Sequence, residues 1–210
     1  MRSIIAFQGS PRSNGNTAKL IEKTLSGARD AGAETDLIQI SSLKMTGCKG
    51  CYSCKKKASL GKCVLQDDMT PLYQKIEKAD AVIFGSPVYM CAMTPELKMV
   101  IDRLFPYLTF DLGSLLKKNK KTALIFTQNQ ENAALFESHI NMTAFMINTI
   151  GFAKPDILLS VNTIGYNERD LNDFTGNGSA TMHEKKLKYK AESWDRDLDA
   201  AYALGRKIAI

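Results

Sequence analysis

Four cysteines fall within sixteen residues, Cys48-x2-Cys51-x2-Cys54-x8-Cys63. Thiolates at the first two of these spacings can wrap three corners of an iron–sulfur cubane, with a fourth ligand arriving from farther along the chain. Four thiolates also satisfy tetrahedral zinc, and unliganded thiols are the plainest alternative. In a reducing compartment such a cluster is a metal or iron–sulfur candidate before it is a disulfide framework. Spacing leaves those states open. A different chemistry is carried by Ser10-Pro11-Arg12-Ser13-Asn14-Gly15-Asn16-Thr17, which combines short hydroxyl and amide side chains, one guanidinium and a glycine. At the start of a helix, such a loop offers an anion free backbone N–H groups and the positive end of the helix dipole. Neither G-x-G-x-x-G nor G-x-x-x-x-G-K-[ST] is present, so a single phosphomonoester suits the loop better than a dinucleotide or an ATP phosphate chain. Without a ligand the same residues make an ordinary turn and helix cap. In Gly85-Ser86-Pro87-Val88-Tyr89-Met90, apolar and aromatic side chains on a proline-stiffened turn can flank a flat conjugated ring. The plain alternative is a strand-end turn with Tyr89 closing the core. Cys91 reads as a small packed residue rather than a redox thiol, and His139 and His183 are given no role.

These residues must be positioned by alternating strands and helices. Short β-rich runs fall at 3–7, 35–40, 81–85, 122–126 and 156–161. Helical spacing follows from Thr17, with Leu20, Ile21, Leu25 and Ala28 on one face and Gly32 as a stop. Further helices are expected at 69–79, from Pro95 with a Leu97, Val100, Ile101 and Leu104 stripe, at 132–150 and at 195–208. In the fourth, Leu135, Met142, Phe145 and Met146 share a side. The cysteines sit in a loop at about 47–66, and a Gly-, Asn- and Lys-rich stretch at about 162–190 receives no element. Five such units imply an α/β fold of three layers, a five-stranded parallel sheet with helices on both faces, in one domain over 1–210. Ligands of such sheets bind outside the carboxyl ends of the strands. The loops at 9–17, 86–93 and 127–131 are therefore the places to look.

Composition excludes more than it assigns. Apolar residues at 44% and charged residues at 24% are ordinary for a soluble globular chain. No apolar run is long enough to cross a bilayer, and the stretch 4–7 is too short for a secretory leader, which makes the cytoplasm the expected compartment. The net charge of +6 comes with lysine clusters at 55–57, 117–121 and 185–190. Neither interleaved aromatics nor a reading helix accompanies them, so they are read as solvated surface and not as a nucleic-acid interface.

Taken together, Gly9-Ser10-Pro11-Arg12-x-x-Gly15-Asn16-Thr17, Gly85-Ser86-Pro87-Val88-Tyr89 and Leu97-Lys98…Ile101-Asp102-Arg103 resemble the NADPH-dependent FMN reductase branch of the flavodoxin-like superfamily. Gly47-Cys48-Lys49-Gly50-Cys51…Gly61-Lys62-Cys63…Asp67-Asp68-Met69 resembles its iron–sulfur flavoprotein subgroup, whose last cysteine gap is usually shorter than the eight residues here. The resemblance implies an FMN with its phosphate on Ser10, Arg12, Asn14, Asn16 and Thr17. The ring would rest on Pro87, Val88, Tyr89 and Met90, with further contacts from Thr127, Gln128 and Asn129. Cys91-Ala92-Met93 departs from the Gly-rich turn often found after that tyrosine. It further implies a [4Fe–4S] cluster on Cys48, Cys51, Cys54 and Cys63, NADH or NADPH as donor to an unassigned acceptor, and a homodimer or homotetramer. The competing class is a flavin electron carrier or redox sensor, with the cysteines as a zinc site or free thiols.

Overall fold

The computed structural model describes residues 1–116, 120–165 and 179–210. Five strands run parallel: β1 (Ser3–Gln8), β2 (Glu34–Gln39), β3 (Ala81–Tyr89), β5 (Lys121–Thr127) and β6 (Asp156–Ser160). They lie in the order β2-β1-β3-β5-β6, and the two-residue β4 (Ala92–Met93) folds back antiparallel on β3. Side chains alternate across a strand, so each central strand feeds two cores. Ile5, Phe7, Val82, Phe84, Leu124 and Phe126 pack with α2 (Thr70–Lys78), α3 (Pro95–Asp102) and α4 (Glu137–Ile150). Ile4, Ala6, Ala81, Ile83, Ala123 and Ile125 pack with α1 (Asn16–Asp30) and α5 (Ser179–Ala209). The result is a flavodoxin-like three-layer sandwich. Among the described residues, no helix is long and apolar enough to cross a membrane.

Several elements differ from the sequence reading. β3 continues through Pro87, Val88 and Tyr89 and pairs them back onto β4. The fourth helix is preceded by a 3-10 turn, Ala133–Phe136, whose start is capped by the Asn132 side chain accepting from Ala134 N at 3.0 Å. Leu135, Met142 and Phe145 are exposed, while Ile140, Thr143, Ile147 and Ile150 face the sheet. α4 carries apolar residues on two sides, and periodicity does not say which one the sheet covers. The last helix begins at Ser179, well before 195, because its first half is a charged surface without an apolar stripe to signal it. The unassigned stretch is thus helical over its final twelve residues, and 166–178 lie outside the described residues.

α5 lies close against α1 at two glycines. A Cβ on Gly27 would fall 2.1 Å from Tyr202 O, and one on Gly205 would fall 1.8 Å from Thr24 O. Only hydrogen at both positions lets the backbones approach this far. The lysine clusters are not simply solvated either. Lys120 is buried and donates to Glu77 O and Ala79 O at the carboxyl end of α2, where a cation is favoured. Lys55 donates to Phe105 O and Leu108 O and sits 4.0 Å over the Phe105 ring.

Candidate functional site

The β1–α1 loop is held in shape by two glutamines from the strand ends. Gln8 Oε1 accepts from Ser10 N, while its Nε2 donates to Arg12 O and to Gln39 Oε1, at 3.2 and 3.0 Å. Gln39 Nε2 in turn donates to Ser10 O at 2.8 Å. The loop ends at Gly15, the N-cap of α1, and the first turn holds no acidic residue, so the positive helix end is left for an anion. Its neighbours are laced to it. Gly9 N donates to Gly85 O at 2.8 Å, Thr94 Oγ1 to Gly9 O at 2.7 Å, and the Thr17 and Thr127 hydroxyls lie 2.7 Å apart. All three loops picked out by the sheet topology therefore meet at one edge.

Between them lies a pocket of about 340 Å³, within the range of small-molecule sites. Ser10, Arg12, Asn16, Thr17, Pro87, Val88, Tyr89, Thr127, Gln128 and Asn129 line it. Asn14 and Met90 do not: Asn14 lines the outer groove beside Lys19, and Met90 is 97% exposed at the hairpin tip. The pocket also takes in Gly15, Thr163 and Gly165. No motif marks the 163–165 segment, which returns to the site after β6 and accepts from Arg12 Nη1 at Gly165 O and from Asn16 Nδ2 at Ile164 O. Two lysines of α5 were equally invisible. Lys186 Nζ donates to O and Oδ1 of Asn129, both at 2.7 Å, and Lys190 Nζ donates to Asn16 Oδ1 at 3.2 Å.

A phosphorylated flat ring fits this chemistry. Free N–H groups and Arg12 stand at one end, and Pro87, Val88 and Tyr89 form a wall at the other. Gln128, one of the lining residues, supplies a specific test, because its Oε1 is buried with no hydrogen-bond partner among the described residues. A buried acceptor left unpaired costs about 1–3 kcal/mol, and a ring N–H would relieve that cost. The turn at Met90-Cys91 departs from the sequence reading. Both residues have positive φ, 47° and 67°, between the paired Tyr89 and Ala92, and Cys91 is exposed, not packed.

The cysteine loop is closed by a buried ion pair. The Arg103 side chain is 1% exposed, its Nη1 and Nη2 donate to the two Asp67 carboxylate oxygens at 2.7 and 3.0 Å, and Nη1 also donates to Thr46 O at 2.8 Å. Thr46 and Asp67 flank the loop at either end, and Asp67 Oδ2 accepts from Thr46 N as well. Burial alone would raise the Asp67 carboxyl, but Arg103 and two backbone N–H groups outweigh it and hold the carboxyl below its ordinary range. Within the loop, Cys48, Cys51, Cys54 and Cys63 are all free and line one small pocket with Arg103, Phe105 and Pro106. Positive φ at Gly50 and Tyr52 bends the chain around it. Hydrogen bonds from Ser53 lower the Cys51 thiol, and burial raises that of Cys54 against the pull of Lys55. The donor set matches an iron–sulfur centre in kind and number. Even so, among the described residues no three His, Cys, Asp or Glu side chains are gathered closely enough to hold a metal ion. The shared pocket speaks for proximity, and the lack of closure speaks against a finished site.

The profile of the NADPH-dependent FMN reductase family matches residues 2–150. An iron–sulfur flavoprotein of Archaeoglobus fulgidus is 31% identical over 197 residues, 93% of this chain and 86% of that protein. An iron–sulfur flavoprotein of Methanocaldococcus jannaschii is 38% identical over 103 residues, 49% of this chain and 52% of its own. Among solved structures, an NAD(P)H:quinone oxidoreductase from Methanothermobacter marburgensis superposes with a TM-score of 0.68 at 16% identity, covering 100% of this chain and 98% of that one, which supports the fold. With the sheet order, the loop chemistry and the matched length in agreement, the chain belongs to the NADPH-dependent FMN reductase family of flavodoxin-like proteins, in its iron–sulfur flavoprotein branch.

Proposed function

We propose that this oxidoreductase of the FMN-reductase type works with FMN in the pocket at residues 10–17, 87–89 and 127–129, taking NADH or NADPH as donor. We propose further that Cys48, Cys51, Cys54 and Cys63 hold a [4Fe–4S] cluster. FMN supplies hydride acceptance and paired or single electron release, and a cluster adds one-electron transfer. The chain's own residues bind, orient and exclude water. The β1–α1 loop and the end of α1 neutralise the phosphate, the Pro87–Tyr89 segment fixes the ring plane, and Gln128 Oε1 marks the ring's polar edge. That the β1–α1 loop, the Pro87–Tyr89 segment and Thr127–Asn129 line one pocket is the observation that carries the flavin reading.

The cluster reading is supported by four free thiols on one pocket wall and by Lys55 beside them, a cation whose pKa burial lowers and charge on Cys54 and Cys48 would raise. The open arrangement of the thiols favours a second reading, a flavin protein whose cysteines are thiols or a zinc site. An absorption spectrum of protein purified without oxygen, with iron, sulfide and zinc analysis, separates the two. Flavin bands with about four irons per chain establish the cluster. Flavin without metal removes it, and no flavin after adding FMN overturns the function. Cys51→Ser is expected to abolish the iron and leave FMN bound.

A homodimer or homotetramer is proposed as the working form. The outward side of α4 exposes Met142 and Phe145, and the 3-10 turn before it exposes Leu135, large apolar side chains that a subunit contact would cover. Light scattering under native conditions tests it, and a monomer sinks it.

A further inference from the structure

We propose that Lys190, which no motif of the loops contains, is a phosphate-recognition residue that makes the pocket prefer the phosphorylated flavin to riboflavin. The inference rests on the FMN reading and deepens it. Lys186 and Lys190 are four residues apart on α5, one above the other on the same face, and each bonds to an asparagine of the pocket lining, Asn129 and Asn16, from behind it. Lys190 Nζ donates to Asn16 Oδ1 at 3.2 Å and lies 3.5 Å from Ile164 O. Asn16 Nδ2 donates to that same Ile164 carbonyl at 2.8 Å, and Arg12 Nη1 to the next one, at Gly165. Donors from two distant parts of the sequence thus converge beside the amino end of α1.

Charge makes the point sharper. Among the described residues, neither lysine takes part in an ion pair. Burial lowers the pKa of the Lys190 ammonium, and the cation Lys19 lowers it further. The Lys190 ammonium lies 5.4 Å over the Trp194 ring, a weaker partner than a carboxylate, and a phosphate would supply the full countercharge through charge-assisted hydrogen bonds. Lys186 differs, since it is bound twice to Asn129 and feels the Glu131 carboxylate, so it positions the 127–129 loop. A merely solvated helix surface would leave both in water, as it leaves Lys185 and Lys188.

The test is flavin fluorescence titration of the flavin-free chain with FMN and with riboflavin, for the wild type, Lys190→Met, Lys190→Arg and the exposed control Lys188→Met. Lys190→Met is expected to weaken FMN about tenfold and leave riboflavin unchanged. Lys190→Arg should retain most of the FMN affinity, and Lys188→Met all of it. Equal loss of both flavins, or loss of neither, overturns the role of Lys190 while leaving FMN binding intact. Equal loss in Lys190→Met and Lys188→Met also overturns it, as bulk charge alone would then explain the effect. Wild-type protein that takes up no FMN overturns the functional reading itself and the inference with it. Retained riboflavin affinity in Lys190→Met reports that the variant is folded.

Discussion

Ser10, Arg12 and Asn16 sit in one motif but hold different positions in the site. Ser10 is committed inward, its N–H to Gln8 Oε1 and its Oγ accepting from Arg12 N at 3.2 Å. Among the described residues, Arg12 bonds through a single guanidinium nitrogen, at Gly165 O, which leaves most of its five donors for a ligand. Arg12→Ala is therefore expected to weaken FMN by roughly 10- to 100-fold and Asn16→Ala by about tenfold, by fluorescence titration, with riboflavin little affected. Gln128→Leu belongs to the ring and should weaken FMN and riboflavin alike; a loss confined to FMN would remove Gln128 from the ring edge. Residue types made Ser10, Arg12, Asn16 and Thr17 legible in the sequence. Gln39 and Gly165 were not, since their bonds to the loop cross 29 and 153 residues and nothing in a single chain records such pairings. The three lysine clusters teach the same lesson, for Lys55, Lys120 and Lys190 each leave the surface their neighbours stay on.

At the scale of elements, two short devices govern the site. The Arg103–Asp67 pair fastens both ends of the cysteine loop, and breaking a buried pair strands its partner. Arg103→Met is expected to cost about 3 kcal/mol in urea unfolding. The depressed Asp67 carboxyl gives the pH sign: its contribution is present above about pH 4 and is lost as pH falls through the lower folded-state value. Acid titration of the wild type should show this loss, and Arg103→Met should show less of it. The second device is the hairpin between β3 and β4, which asks two non-glycine residues for the positive φ that Asn-Gly adopts easily. Met90→Asn with Cys91→Gly should stabilise the fold by about 1 kcal/mol; no gain in thermal unfolding would mean that the turn is not strained. The sequence ended β3 at Gly85 because Ser-Pro reads as a turn, whereas here the central strand runs on past the end of β1, with Pro87 opposite Thr127 of β5, into the hairpin.

For the whole molecule, the layers were readable because buried parallel strands announce themselves as apolar runs, and alternation then assigns each residue to a core. The length of α5 was not, as helix-forming charged residues carry no stripe until something packs on them. At 31 residues it spans about 46 Å, tying the Gly27–Gly205 contact with α1 to the lysines at the pocket. Gly205→Val should cost about 3 kcal/mol by overpacking and weaken FMN through the displaced helix; unchanged affinity in a folded variant would separate the two ends. The clasp on the cysteine loop reaches further still. Small metal-binding domains commonly fold only when the ion arrives, because nothing else brings their ligands together. Here the chain closes the ends of the thiol loop with its own guanidinium and carboxylate, so the fold of the loop's base does not wait for a metal. If the cysteines hold the proposed cluster, a chelator should leave an intact, cooperatively melting fold, and the thiol segment should gain or lose residues between its clasped ends at little cost to the sandwich.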